Sequence, residues 1–556
     1  MGAPPMKFEM PMFNGFVPEC LRPWIYVFIA CCFQLSGGRY LGPINELIGA
    51  HGNMREDIVM CMMANLSGMA IWFPMLFRMK FRFTNKTLLR VSSVVVIITN
   101  ILTMQITSLP ILWFVCFVEG IAKIQGTFEC MSNIQLWMTS KRDMKVFFPL
   151  LHVIILSAIC AQKIISSWFG YLGDWELMHW LVIGLHCIVL LILTTCVHHF
   201  RFMKMPLFGI DWTGLVLWAA LLLQIAFMLV FGEFYDWFNQ RQMWYVLGFT
   251  LITFALIFGR MNHVRHPYIS PRVFTGFKKV KPIFMLIVLY EMILASENVM
   301  EEVFYEHGLE YNTIVNASLT WWVWAGNIFG CLFSLVWLRK VIRFSYIRLG
   351  IVGTCFLTAY VLLMYMSISS ELNIEALRMP LFCRGVAYAC MSIMFMNALH
   401  DATDFPHFFQ CLSVFNMLHM VVGGCIGTAL YGHGLNYFMA DGMARCSRYL
   451  TLETWQQPLQ QFGPFMEELS NSMLVVACKT LYGWVAYACV ALIIAFFFFD
   501  SPLRRRHPRL MQPWEVVGQR LGRRLISRIS AHNGVGEWRK VVKKDEKLPK
   551  KFGCLD

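Results

Sequence analysis

Ionisable side chains stand inside otherwise apolar stretches of this sequence, in types and spacings suited to pairing and to the holding of protons. Glu119 and Lys123 are four residues apart in "CFVEGIAKIQG" (116–126), which puts both on one face of a helix. Glu129 follows at the end of the same stretch. Glu291 and Glu297 lie in another, with Glu301 and Glu302 at its far end, and Gln34 and Arg39 share "FQLSGGRYLGPI" (33–44). A charge at the centre of a membrane helix costs at least about 2.5–3.5 kcal/mol, so such residues face a water-filled cavity, pair with one another, or relay protons. A carboxyl shielded from water can bind and release a proton near neutral pH. Glu119, Glu291 and Glu297 are therefore the candidates for proton coupling. Gln34, Arg39, Lys123, Glu129, Trp321 and Trp324 are the candidates for lining a cavity. For Glu119 and Lys123 the plainer alternative is an internal salt bridge, retained only while both partners remain. Arg39 has the alternative of reaching the headgroups, and Lys163 and Arg384 read as structural or snorkelling residues.

Helices must position these groups. The chain has 556 residues, 58% apolar and 14% charged, with a mean hydropathy of +0.56; a soluble domain carries roughly 25% charge. The apolar residues come in runs near the length needed to cross about 30 Å of hydrocarbon as a helix, and a bilayer leaves no water for unpaired backbone groups. The alternating segments of a β-barrel are missing. The runs predict an all-α membrane protein of about fourteen transmembrane helices: 23–42, 58–78, 88–107, 111–138, 148–170, 177–199, 211–233, 242–260, 283–302, 316–338, 348–368, 379–399, 408–432 and 475–499. No cleavable signal peptide is read at the start. Nucleophile triads, metal motifs and nucleotide loops are not apparent, so neither an enzyme nor a bound cofactor is expected.

Basic residues set the orientation. With the N-terminus inside, the inward loops hold Arg78, Lys80, Arg82, Lys86, Arg90, Lys141, Arg142, Lys145, Arg201, Lys204, Arg260, Arg265, Arg272, Lys278, Lys279, Lys281, Arg339, Lys340, Arg343 and Arg348. The outward loops hold Arg55, Arg241, Arg378, Arg445 and Arg448. Both termini are thus expected in the cytoplasm. The net charge of +14 flanks membrane spans and does not argue for nucleic acid. In the tail, Trp514, Val517, Leu521, Leu525 and Ile529 recur at helical spacing among Arg520, Arg523, Arg524 and Arg528; this suits a basic amphipathic helix on anionic lipid, or a solvated tail. His400, Asp401, Asp404 and His407 have ligand-like types, but Pro406 and the helix-capping Asp residues favour a turn. Cys446 falls in a long outward loop, about 433–474, and no partner for it can be named.

Four segments carry a resemblance. "GIDWTGLVLWAALLLQIAFMLVFGEFYDW" (209–237) has an Asp-Trp-x-Gly opening at Asp211, Trp212 and Gly214, a Leu-rich helix, then Gly232 and Trp237. "WFGYLGDWELMHWLVIG" (168–184), "HPYISPRVFTGF" (266–277) and "FQCLSVFNMLHMVVGGCIGTAL" (409–430) accompany it in order. Together these resemble the fourteen-span drug:proton antiporters of the major facilitator superfamily, the EmrB/QacA type. The resemblance implies two six-helix bundles (1–199 and 283–499), two linker spans within 200–282, and a basic cytoplasmic tail (500–556). It further implies a bacterial inner-membrane exporter of small amphipathic toxic compounds in exchange for protons, working with a membrane-fusion adaptor and an outer-membrane channel. The chain departs from that pattern at the coupling residues. Gln34 stands where the family has Asp and Arg39 where it has Asn; Cys116 and Glu119 stand near its span-four Arg and Gln, and the Gly-Pro motif of span five is missing. Those departures motivate an alternative: a transporter of the same fold for an anionic metabolite with different coupling. A non-transporting membrane receptor is the reading from a different class.

Overall fold

The computed structural model describes residues 13–37, 44, 47–48, 52, 54–139, 143–199, 209–277, 279–341, 346–369, 372–449 and 462–500. Among the described residues, thirteen helices are long and apolar enough to cross a membrane, and a fourteenth apolar helix, Arg22–Leu35, is shorter. In chain order they are α1 (Arg22–Leu35), α2 (Arg55–Arg82), α3 (Asn85–Gln105), α4 (Leu109–Met138), α5 (Met144–Tyr171), α6 (Glu176–Thr195), α7 (Trp212–Val230), α8 (Arg241–His263), α9 (Val280–Gly308), α10 (Thr313–Arg339), α11 (Tyr346–Ser367), α12 (Arg378–Ala402), α13 (His407–Ser447) and α14 (Phe462–Asp500). Each corresponds to one apolar run of the sequence. The chain is a multi-pass, all-α membrane protein. The proposed tail helix and Arg39 lie outside the described residues.

The first six helices pack on one another, chiefly α2 on α4 and α3 on α4 and α6; α12 packs on α10 and α11, and α9 on α13. The two sets meet where α5 crosses α10 and α2 crosses α13. Small residues let the backbones approach in the absence of a hydrophobic drive between helices. A Cβ on Gly68 of α2 would stand 2.1 Å from the Phe117 carbonyl oxygen, and one on Gly120 of α4 2.0 Å from that of Asn65. The α10–α12 crossing repeats this register: Gly326 faces the Phe382 carbonyl at 2.2 Å and Gly385 the Val323 carbonyl at 2.3 Å. In both crossings the carbonyl belongs to the residue three before the partner glycine. The two sets of helices are therefore built to one plan, with α2 matching α10 and α4 matching α12.

Helices α7 and α8 form the extra hairpin, and its sequence motif has a physical basis. Asp211 caps α7 by accepting from the Gly214 amide (2.9 Å), and also takes Arg260 Nε (2.7 Å) and the Tyr268 amide (3.3 Å). A Cβ on Gly214 would meet that carboxylate at 2.2 Å. At the far end Gly232 leaves room for the Trp237 ring, and Asp236 and Trp237 turn the chain at φ 49° and 50°. Helix α13 continues well past 432, to Ser447, where the sequence reading places an outward loop; an Asp441–Arg445 pair at 2.6 Å, one helical turn apart, supports the added turns. Cys446 is a free thiol 4.0 Å from the Met473 sulfur.

Candidate functional site

Ionisable side chains gather around α9 and α12. Arg384 of α12, the residue before Gly385, lies between two carboxylates of α9. Its Nε is 3.2 Å from Glu297 Oε2, and its Nη1 donates to Glu301. Arg384 thus does not snorkel: its side chain is 11% exposed, with Glu301 at 6% and Glu297 at 30%. Glu301 also accepts from the Tyr360 hydroxyl of α11, which lies 3.3 Å from the Tyr482 hydroxyl of α14. Six residues before Glu297 on α9, Glu291 Oε1 is 2.7 Å from His419 Nδ1 of α13, an ion-pair distance but off the line of a hydrogen bond.

Both sets of contacts sit on wound-out helix. Glu297–Glu301 of α9 and Met417–Gly423 of α13 are π turns, the irregularity that recurs at functional sites because it rotates side chains out of α register. Gly423 gives way to the Glu291 side chain, to which its Cβ would stand at 2.7 Å. Sequence reasoning singles out Glu291 and Glu297 but not His419, Tyr360 or Tyr482. Their partners come from other helices, and a His or Tyr in an apolar run carries no charge signal.

The first set holds a counterpart. Glu119, the residue before Gly120 on α4, is buried and accepts from Asn100 Nδ2 of α3 (3.0 Å); Asn100 Oδ1 in turn lies 3.1 Å from His179 Nδ1 of α6. Lys123 is buried one turn along. The relay Glu119–Asn100–His179 thus runs through α4, α3 and α6, as Arg384–Glu301–Tyr360–Tyr482 reaches α11 and α14 from α12. Glu129 is buried against Asn85 Nδ2 (2.9 Å) and Gln125 Nε2 (3.2 Å), within the first six helices. Gln34 donates to Thr127 Oγ1 (2.9 Å). Trp324 bonds Ser157 of α5 (2.9 Å) with Trp321 stacked on it at 5.0 Å, on the α5–α10 seam. His400 and Asp401 touch at 3.4 Å, and Asp404 sits at the start of the next helix. No metal-holding group of three occurs among the described residues.

The two ends differ. At the end where α2 stops and α3 begins, rings from both sets interlock: Phe77 (α2) and Phe409 (α13) at 4.3 Å, Phe128 (α4) and Phe409 at 5.7 Å, and Phe148 (α5) and His400 (α12) at 6.3 Å. Ser413 also donates to the Ala70 carbonyl (2.8 Å). The opposite end is bridged by Arg55 of α2 and Glu302 of α9 at 2.6 Å.

No protein-family model matches the sequence, and no curated protein matches it. Solved structures do resemble it. The nucleoside transporter NupG aligns over 86% of this chain and 99% of its own, at 13% identity and a TM-score of 0.53. A POT family transporter in complex with 5-aminolevulinic acid aligns over 88% and 98%, at 12% and 0.54. The human organic anion transporter MFSD10 (TETRAN) aligns over 85% and 99%, at 9% and 0.50. At these identities the likeness is one of fold: the chain has a major facilitator fold, with the α7–α8 hairpin set between its two six-helix sets.

Proposed function

We propose that the protein is a proton-coupled secondary active transporter of small organic solutes. The observation that carries this reading is the network of buried carboxylates, one guanidinium and one imidazole on α9, α12 and α13. Charges of this kind are costly in a bilayer and are retained where they face a cavity or exchange protons. In this fold the two helix sets rock about a site near mid-membrane, exposing it to each side in turn. Interlocked rings at one end and the Arg55–Glu302 pair at the other are contacts that such rocking makes and breaks. The end rich in Lys and Arg is proposed to face the cytoplasm. Within this reading Glu291, paired with His419, is one proton-holding carboxyl of α9, and Glu119 its counterpart on α4. Export of amphipathic compounds in exchange for protons rests on the motifs around 209–237 and 409–430 and is a second, separate form of the proposal.

The test is flux in vesicles containing the purified chain and a pH-sensitive dye. Solute-linked proton movement is expected in the unaltered protein. Glu291→Gln or Glu119→Gln should reduce it at least about 100-fold while leaving the protein folded, since each swap keeps shape and removes the titrating group. Normal coupled flux in both variants would remove these two residues from the mechanism. A protein that binds a ligand but moves nothing would be a receptor.

A further inference from the structure

We propose that Arg384 is the docking point for an anionic group on the solute, and that the anion enters by taking the place of Glu297. The proposal rests on the transporter reading and names its substrate class. The guanidinium holds its two carboxylates unequally. Glu301 is deeply buried, accepts from Arg384 Nη1, and is fixed by the Tyr360 hydroxyl. Glu297 is 30% exposed and approaches Nε off axis, so among the described residues the buried Nε–H has no aligned acceptor. A guanidinium offers parallel N–H pairs that match a carboxylate or phosphate two-pronged. The Nε edge of Arg384 is such a fork, one prong of it unmet.

Charge decides when the fork opens. While Glu297 is ionised, it and Glu301 balance Arg384 and Lys163, and the site has no net positive charge to hold an anion. When Glu297 takes a proton from water a net positive charge is left and the anion can displace it. One proton then travels with one negative charge in the same direction, electroneutral for a monoanion. Lys163 of α5, exposed and within electrostatic range of Glu297, draws an anion to the opening. Among the described residues, the remaining titratable groups facing Glu297 are Tyr388 of α12, Cys160 of α5, and Tyr290, Glu291 and Glu301 of its own helix. Glu291 is engaged by His419 of α13. Among the described residues, Arg384 and Lys163 are thus the fixed positive charges at the site.

The experiment uses the full chain, purified, with thermal-shift binding and vesicle proton flux measured for gluconate, glycerol 3-phosphate and uridine monophosphate. Their uncharged counterparts, glucose, glycerol and uridine, serve as controls. At least one anion should bind the unaltered protein about tenfold more tightly at pH 5.5 than at pH 7.5. Glu297→Gln should bind it at pH 7.5 as tightly as the unaltered protein does at pH 5.5, and lose the pH dependence. Arg384→Gln should abolish binding. Because that change strands Glu301, the paired variant Arg384→Gln with Glu301→Gln checks the same loss in a chain relieved of the buried charge. If Glu297→Gln binds none of the anions better than its uncharged counterpart, the anion site is wrong. Proton-linked movement of the uncharged solutes alone would also overturn it while leaving the transporter reading intact. Anion binding with the expected pattern but no flux would do the reverse.

Discussion

At the scale of single residues, the carboxylates differ by what surrounds them. Glu301 is immobilised by a guanidinium and a phenol, Glu291 faces an imidazole, and Glu119 leans on an amide. Glu233, in the turn between α7 and α8, is a simpler case. Its oxygens accept from Asn436 (3.0 Å) and Trp237 (3.0 Å), and His433 lies at 3.4 Å. Partial burial works against its charge, but these bonds and His433 outweigh it and hold the carboxyl below the usual carboxylate range. A carboxyl depressed in the folded state stabilises above its unfolded pKa and loses that contribution as pH falls through the folded value. Glu233→Gln should therefore cost at most about 1 kcal/mol, since the pair is largely exposed. The difference in melting temperature from the unaltered protein should be present near neutral pH and shrink as pH falls below the ordinary carboxylate range, about 4.3. A difference that grows on acidification would contradict the assignment. The sequence exposes residues such as Glu119, Glu291 and Glu297 because a charge in an apolar run stands out. It does not show that Arg384 is the partner of Glu297 and Glu301, since the two helices concerned are far apart along the chain and meet only in space.

At the scale of elements, apolar runs make the helices legible, but not their ends or irregularities. The continuation of α13 to Ser447 follows from local pairs that hydropathy does not weigh, and the π turns at Glu297–Glu301 and Met417–Gly423 leave no mark in composition. The glycine crossings are equally hidden, because a glycine in an apolar run reads as filler until the opposing carbonyl is known. Replacing Gly120 or Gly385 by Val forces side-chain atoms into carbonyl oxygens at 2.0 and 2.3 Å. Each should destabilise by at least about 1–3 kcal/mol, the usual range for overpacking, read as a lower melting temperature in detergent. A Cβ on Gly184 or Gly248 would meet nothing within 4 Å, so Ala at either serves as the control and should change little.

At the scale of the whole molecule, the matched registers of α2–α4 and α10–α12 make the two sets structural counterparts, and the matched positions carry Glu119 in one and Arg384 in the other. The duplicated frame therefore holds charges of opposite sign at one level of the fold. Phe77, Phe128 and Phe409 close one end across the two sets. Phe409→Ala removes the ring common to two of these contacts and should favour opening there. Cys411, fully buried two residues on, reports it: a water-soluble maleimide should modify Cys411 several-fold faster in the variant, read by mass spectrometry of that peptide. An unchanged rate would mean the rings do not control access.

The α7–α8 hairpin is fastened to both sets at both ends. Near α8's close, Tyr268 bonds the Ile71 carbonyl of α2 and the Ser270 amide bonds Gln410 of α13 (3.2 Å). At the other end Trp113 of α4 packs on Phe227 and Phe231 (both 6.0 Å), and Asn436 of α13 holds Glu233. A brace bolted to both jaws of a clamp limits how wide the clamp can swing. If the two sets rock as proposed, the stroke is limited by how far four small joints yield, and a chain lacking the hairpin is expected to swing further.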